Sequence, residues 1–450
     1  MKKLSFLFLS FFLVQNVYAD DAVLTQGREA FVSYCSRCHG PDGKGDGPDS
    51  KRTSVLPRDL TSGRFKFKTT VSGTPPSDED LKATLRRGLP GSGMPSFGNL
   101  EADTLNSLIQ YVKTLSPAFT PQNPPKPIPL PSNYKGKIDP IKGKEVFKTL
   151  QCALCHGPEG RANGTSAFTL MDGWNHPIRP ANLTQGWTYR GGQKPSDIYY
   201  RIFAGLDGAP MPSYDGAVTP EDAWQLANYV SSLQLKANWT YEIIAVNISG
   251  ALPAAADDPQ WEKAPRTDVN LQGYFYENGR RDRTSVNAVS VQVLRNEKDV
   301  AFRLQWNDPV KDEKNPADAF SVAFKPRDYA GDPRGNLHTL YTPESAPLDL
   351  MMWQAGEPAQ VGQKVSTFGS AVRPGWTPAQ TFKASSEYKD GAWVLVFSRP
   401  LDLGNTGADF TQPFVFAGFT AWDGHNGDSQ LKHSTSQWIR LVLRQTEEQH

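Results

Sequence analysis

Two short phrases hold the residues best suited to chemistry. Cys35 and Cys38 run directly into His39 in "YCSRCHGPDGKG", and Cys152, Cys155 and His156 repeat the pattern in "QCALCHGPEGRA". Together they use all four cysteines of the chain. On a helix, residues three apart share a face, so each pair of thiols can reach one edge of a common partner. A zinc site would want four ligands, and each phrase supplies two thiols and one imidazole. A thioredoxin-like disulfide would want a βαβ setting and has no use for the histidine. Covalent attachment of a c-type haem uses every member: thioethers from the cysteines and an axial nitrogen from the histidine.

A second axial ligand is expected from a distant point in each copy. Met94 in "GSGMPSFG" and Met211 in "GAPMPSYDG" sit in Gly/Pro-rich loops, two of six methionines in the chain. Methionines that merely filled a core would have no reason to be equally placed. Yet both lie 55 residues after their histidine, Met94 after His39 and Met211 after His156. Histidine–methionine ligation raises the reduction potential relative to bis-histidine and leaves iron no open position.

The elements that must position these residues are written twice. "GREAFVSYCSRCHGPDGKGDG" aligns with "GKEVFKTLQCALCHGPEGRANG", "PRDLTSGRFKF" with "PANLTQGWTYR", and "PSDEDL" with "PSDIYY". Such self-similarity marks two copies of one domain, at residues 20–117 and 138–236. Each copy closes on an amphipathic helix, with Leu105, Leu108, Ile109 and Val112 on one stripe and Trp224, Ala227 and Val230 on the other. Between the copies, the linker at residues 118–137 overlaps the proline-rich "SPAFTPQNPPKPIPLPS", Ser116 to Ser132, read as a semi-rigid spacer rather than a packed element. After about residue 240 the period changes to two. Val289, Val291 and Val293 alternate, a turn follows at Asn296 to Asp299, and Phe302, Leu304 and Trp306 alternate again, the pattern of a hairpin. With "WVLVFSR", "FVFAGFTAW" and "WIRLVLR", residues 240–450 read as an antiparallel β-sandwich domain. The fold class expected is therefore two all-α domains followed by a β-sandwich.

Composition narrows the remaining choices. The chain has 450 residues, 38% hydrophobic and 21% charged, and a net charge of +1. That balance gives no reason to expect nucleic acid. Residues 1–19 carry Lys2 and Lys3, the apolar run "LSFLFLSFFLV" and a small Ala19, which read as a secretory signal peptide and point to a periplasmic location. No later run is apolar and long enough to span a membrane.

Residues 20–236 resemble two class I c-type cytochrome domains, on the strength of "CSRCHG", "CALCHG", "GMPSF" and "PMPSY". That resemblance implies His39 with Met94, and His156 with Met211, as axial pairs. Arg58 in "PRDL" and Arg179 in "IRPANL" fall where such domains often meet haem propionates; ordinary surface arginines explain them equally well. Residues 240–450 resemble the haem-binding domain of ethylbenzene dehydrogenase gamma subunits, whose relatives serve molybdenum enzymes of the dimethyl sulfoxide reductase family. The segments concerned are "ALPAAADDPQWEKAP", "WVLVFSRPL" and "FAGFTAWDGHNGDSQLKHSTSQWIRLVL". This implies a β-sandwich holding a non-covalent b-type haem between lysine and methionine. Lys432 falls on the family's lysine. The family's methionine lies near "NLHTLYTPES", where this chain has His338 and no methionine, so His338 or Met351 is the expected partner, with Met352 adjacent. His425 and His433 are further candidates, equally explained as loop histidines.

Three functions follow. In the first, the chain is a non-catalytic multihaem electron-transfer subunit. It relays electrons between a molybdoenzyme with its iron–sulfur subunit and a soluble cytochrome or terminal oxidase. In the second it is a dihaem enzyme acting on peroxide or nitrite after a methionine is displaced. In the third its β domain is a haem-free docking or carbohydrate-type sandwich.

Overall fold

The computed structural model describes residues 21–53, 55–131, 134, 136–240, 242–273, 285–314, 316–325, 348–357, 360–365, 376–378, 383–402, 408–428 and 432–443. The leader and His338 lie outside the described residues. The chain divides into two compact units that meet in sequence at Leu235 and Lys236. Among the described residues no helix is long and apolar enough to cross a membrane.

The first unit holds both helical copies. In each, an N-terminal helix crosses the C-terminal one at a glycine. Helix α1 (residues 21–34) leads into the short α2 (Ser36–His39); α3 (Asp78–Arg87) and α4 (Ala102–Thr114) complete the first copy. The second copy uses α5 (Pro140–Thr149), α6 (Ala153–His156), α7 (Pro195–Ala204) and α8 (Pro220–Ser232). A Cβ on Gly27 would stand 2.1 Å from the Ser107 carbonyl of α4, and one on Gly143 would stand 2.4 Å from the Gln225 carbonyl of α8. Only glycine permits backbones to approach this closely. Beside each crossing an aromatic pair packs, Phe31 with Tyr111 at 5.4 Å and Phe147 with Tyr229 at 5.6 Å. The stripe read from sequence is the buried face of α4: Leu105, Leu108, Ile109 and Val112.

Helix α3 starts at a capping box, with the Ser77 side chain and the Asp80 carboxylate each satisfying the other's backbone N–H. In α7 the equivalent acid is Asp197, which accepts from the Lys194 N–H. Asp80 therefore matches Asp197, and Ser77 matches Lys194 rather than the serine of "PSDIYY". The expected alignment of those phrases is off by two residues. Pairing by caps overrides pairing by letters because the cap fixes where a helix begins.

The proline-rich connection differs from the spacer expected of it. Thr70 and Pro127 pair as an isolated bridge, with the Val71 N–H donating to the Lys126 carbonyl and the Ile128 N–H to the Thr69 carbonyl, both at 2.9 Å. Ile128 is 4% exposed and belongs to the apolar core of the second copy, with Ile198, Tyr199 and Trp224. An extended chain presents free N–H and C=O groups along its edge, and the 69–71 segment satisfies them. The linker is thus packed against both copies.

The second unit is β-sheet-rich. Its strands are β1 (Glu242–Asn247), β2 (Thr267–Asn270), β3 (Gln272–Gly273), β4 (Ala288–Arg295), β5 (Asp299–Asn307), β6 (Ala319–Phe324) and β7 (Leu348–Gln354). There follow β8 (Gln360–Val365), β9 (Trp376–Pro378), β10 (Lys383–Lys389), β11 (Ala392–Pro400), β12 (Phe414–Trp422), β13 (Ser434–Thr435) and β14 (Ile439–Val442). The expected hairpin is β4–β5, turned at Asn296, whose side-chain oxygen accepts from the N–H groups of Lys298 and Asp299. Two separate sheets were expected of a sandwich. Instead the main order runs β10-β11-β5-β4-β1-β14-β12-β6-β7-β8-β9 as one curled sheet. The seam is β1, whose residues 242–244 pair with β14 and whose residues 245–247 pair with β4, both parallel. Inward residues from the two halves meet across a common core: Phe302 packs on Phe324 at 5.6 Å and Trp306 on Phe320 at 4.6 Å. Buried Arg399 and Asp349, both with fully buried side chains, pair at 2.7 Å inside this domain.

Candidate functional site

In both copies a short helix carries the Cys-x-x-Cys-His residues, and the turn after it is built alike. Gly40 and Gly157 end the helices at φ +77° and +78°, a conformation suited to glycine. The Gly45 N–H donates to the His39 carbonyl and the Ala162 N–H to the His156 carbonyl, each at 2.8 Å. None of the four cysteines is in a disulfide, and all are partly buried. Burial pushes the Cys35 thiol up to about 12 and Cys152 up to about 11, and raises Cys38 as well.

Each histidine is oriented by a backbone oxygen. His39 Nδ1 lies 2.9 Å from the Arg58 carbonyl, and His156 Nδ1 lies 2.9 Å from the Ala181 carbonyl. A carbonyl can only accept, so Nδ1 carries the hydrogen and Nε2 keeps its lone pair. Burial holds both imidazoles below the usual histidine range, which keeps them neutral and able to bind metal. The carbonyls are fixed in turn by matching turns: Asp59 accepts from Thr61 N and Oγ1, and Asn182 from Thr184 N and Oγ1. The phrases "PRDLT" and "PANLT" carried that signal, but what they contribute to the histidine is a backbone oxygen.

The methionine loops also match. The Leu89 N–H donates to the Met94 carbonyl and the Leu206 N–H to the Met211 carbonyl, each at 3.1 Å. Gly88 and Gly205 turn each chain at φ +68°, and Ser96 and Ser213 tie back to the carbonyls of Arg86 and Phe203 at 2.5 Å. Each loop reaches the cysteine segment. Phe97 stacks edgewise on Tyr34 at 6.3 Å, and Tyr214 is raised to about 12 by its burial, with Cys152 and Cys155 among the lesser causes. Each copy therefore carries two thiols, one imidazole oriented through Nδ1, and a methionine loop packed beside the cysteine segment. This donor set fits a covalently held haem and suits no hard cation.

The arginines occupy different settings. The Arg58 guanidinium stands 4.2 Å from the ring of Trp174, in the second copy, and burial lowers its pKa. Arg179 stands 3.9 Å from the Phe168 ring. By position the counterpart of Arg58 is Ala181, two residues past Arg179. Trp174 belongs to a contact between copies that sequence reading missed. Arg64 also lies over it at 5.4 Å, Lys68 pairs with Asp207 at 2.7 Å, and Arg87 Nε donates to the Arg190 carbonyl at 3.1 Å.

The equal 55-residue spacing hides two differences that cancel. From histidine to the orienting carbonyl is 19 residues in the first copy and 25 in the second. From that carbonyl to the capping acid the first copy is longer by the same six, Arg58 to Asp80 against Ala181 to Asp197. Trp174 lies in the surplus span of the second copy, and Lys68 and Val71 in that of the first, so both surpluses build the contact.

In the second unit, Lys432 donates to the Asn426 carbonyl and pairs with Asp428 at 3.3 Å. Met351 faces the apolar core at 5% exposure, opposite Val322, while Met352 is partly buried on the other face. His433 is 1% exposed and lies 5.3 Å from the Trp422 ring; His425 is 4.0 Å from Asp312. His338 lies outside the described residues.

The matched pair of sites defines two cytochrome c-type domains. Residues 22–112 match the family described as Cytochrome C oxidase, cbb3-type, subunit III, and residues 141–234 match Cytochrome c. Cytochrome c domains imply covalently bound haem c in each. The chain is similar to the Cbb3-type cytochrome c oxidase subunit FixP of Azorhizobium caulinodans, 28% identical over 214 residues, covering 46% of this chain and 59% of that protein. It therefore spans less than two thirds of that relative's length. A solved chain of the Kuenenia stuttgartiensis reducing HAO-like protein complex is 35% identical, with 47% of this chain and 96% of that one covered and a TM-score of 0.44.

Proposed function

We propose that this chain is an exported dihaem electron carrier whose two cytochrome domains act as one fixed relay. His39 with Met94, and His156 with Met211, are the axial pairs; Cys35, Cys38, Cys152 and Cys155 are the attachment points. The observation that carries this reading is the duplicated donor set, with each imidazole oriented by a backbone carbonyl and kept neutral by burial, and each methionine loop closed by the same hydrogen bonds. Haem supplies one-electron exchange. His39, Met94, His156 and Met211 would hold the iron of each haem, and the four cysteines would anchor the porphyrins. The interface through Arg58, Trp174, Lys68 and Asp207 supports relay over independent carriage, because a fixed separation favours transfer between the two sites. Periplasmic location rests on the leader at residues 1–19. The redox partner is proposed by chemistry: a respiratory or molybdenum-type oxidoreductase complex on one side and a soluble cytochrome or terminal oxidase on the other.

A third, b-type haem in the β domain is the finer reading that the family resemblance suggests. The described residues do not fit it well: Lys432 is engaged by Asn426 and Asp428, and Met351 is packed into the core. Pyridine haemochrome assay with acid–acetone extraction decides both points. Two non-extractable haems per chain are expected. Fewer than two would overturn the relay, and one extractable haem would restore the third site. Peroxide or nitrite turnover by the isolated chain would favour an enzyme instead.

A further inference from the structure

Three strand ends of the β domain converge on one point. Asp308 follows β5, Asp318 precedes β6 and Asp423 follows β12, and their exposures are 0%, 0% and 3%. The antiparallel register sets Trp422 opposite Ala319, so the next residues outward, Asp423 and Asp318, stand side by side. Asp308 arrives from the other half of the curled sheet, beside the Trp306–Phe320 contact. One carboxylate oxygen from each of the three lies within 4.8 Å of the other two.

Such a cluster needs a partner. Among the described residues none of the three carboxylates forms an ion pair; the nearby cations are engaged elsewhere, Lys432 with Asp428, Lys311 with Glu313 and His425 beside Asp312. Asp318 accepts from Gly424 N, Asp312 N and Trp393 Nε1, and Asp423 accepts from Asn426 N. Asp308 Oδ1 accepts from Val310 N, but among the described residues its Oδ2 is fully buried with no hydrogen-bond partner. A buried carboxylate oxygen without a donor is costly unless a cation or proton completes it.

We propose that Asp308, Asp318 and Asp423 form a calcium-type divalent cation site that ties the two halves of the sheet together. Calcium takes oxygen ligands at about 2.4 Å, so three oxygens that all lie within 4.8 Å of one another can share one such ion. Three hard oxygens with no thiol or imidazole among them select against zinc and copper. Magnesium gives up its waters reluctantly and is seldom held by dedicated protein cages, so a site this buried favours calcium. The site is independent of the haem reading and lies in the other unit.

The test uses the full chain, stripped with EDTA and dialysed, then titrated with calcium chloride by calorimetry and melted with and without the metal. One calcium per chain is expected, with the β-domain melting temperature raised by about 5 °C or more at ~100-fold excess over Kd. Magnesium at equal concentration is expected to produce less than half that shift. Asp308→Asn keeps the side-chain volume; it should abolish the calcium shift and, in EDTA, melt no lower than the natural chain because a like charge is gone. If that variant fails to fold, Asp423→Asn serves in its place. No calcium uptake with an unchanged melting temperature, or a calcium shift that survives Asp308→Asn, would overturn the site and leave acids that share protons.

Discussion

Replacing Asp207 by asparagine probes the contact that makes the two cytochrome domains one relay. Lys68 has a side chain 1% exposed, and its ammonium has two acceptors: Asp207 Oδ2 at 2.7 Å and the Thr74 carbonyl at 2.8 Å. Asp207 is less secluded, with its side chain 23% exposed. Removing the counter-charge of a buried ion typically costs about 3–5 kcal/mol. The Thr74 carbonyl remains and water can enter on the Asp207 side, so the loss should sit at the low end, about 3 kcal/mol. Lys68→Met removes instead the charge that is hard to solvate and leaves an acid able to turn towards water, at an expected cost of about 1 kcal/mol. The difference of about 2 kcal/mol is a roughly 30-fold change in the opening equilibrium. Urea unfolding followed by haem absorption reads the cytochrome unit separately from the β domain. Hydrogen exchange at the Val71 and Ile128 amides reads the linker pairing directly. Equal losses for the two variants, or a larger loss for Lys68→Met, would refute the view that the buried lysine is the partner in need.

Four further outcomes are expected. Met94→Ala and Met211→Ala should each lower one step of a two-step redox titration and leave the other in place; two steps that move together would mean the ligands are misassigned. Trp174→Ala should cost about 1–2 kcal/mol in cytochrome-unit stability through lost contact with Arg58 and Arg64, and Trp174→Phe should recover part of it in the same urea assay. Arg399→Ala strands Asp349 in the β-domain core and should cost about 3–5 kcal/mol, whereas the Arg399→Met, Asp349→Leu double variant should lose less by denaturant titration. Burial raises Asp318 to about 6, so the folded chain holds a proton that the unfolded chain has released. In EDTA, β-domain stability should therefore fall as pH rises from about 4 through about 6, and a melting temperature that climbs over that range would contradict it.

Local chemistry was legible in the sequence, and contacts between distant segments were not. Cysteines and histidines announced themselves because haem attachment needs a fixed short spacing, and the methionines because their distance from the histidine repeats. The α4 stripe was legible because burial follows the helical period. The role of Arg58 was hidden because its contribution to His39 is a backbone oxygen, which no residue type encodes. The "PSD" phrases misled because letters repeated where caps did not. Ile128 read as spacer because a lone apolar residue among prolines has no period. In the β domain the alternation of β4 and β5 was plain. The division of β1 between two neighbours, and the meeting of Asp308, Asp318 and Asp423, arise only once strands from residues 242 to 442 are paired.

The two cancelling six-residue differences bear on how a duplicated domain avoids endless assembly. Copies that meet head to tail offer, at the free end, the same surface that has just been used, and identical copies would go on adding partners into a filament. Here the second copy has Ala181 where the first has Arg58, and lacks the longer span that carries Lys68 and Val71. Its outer side cannot receive another Trp174 or another linker. Divergence in length after duplication thus acts as a terminator for this one contact: the second copy has no equivalent of the surface the first copy uses, so the contact cannot repeat itself along the chain.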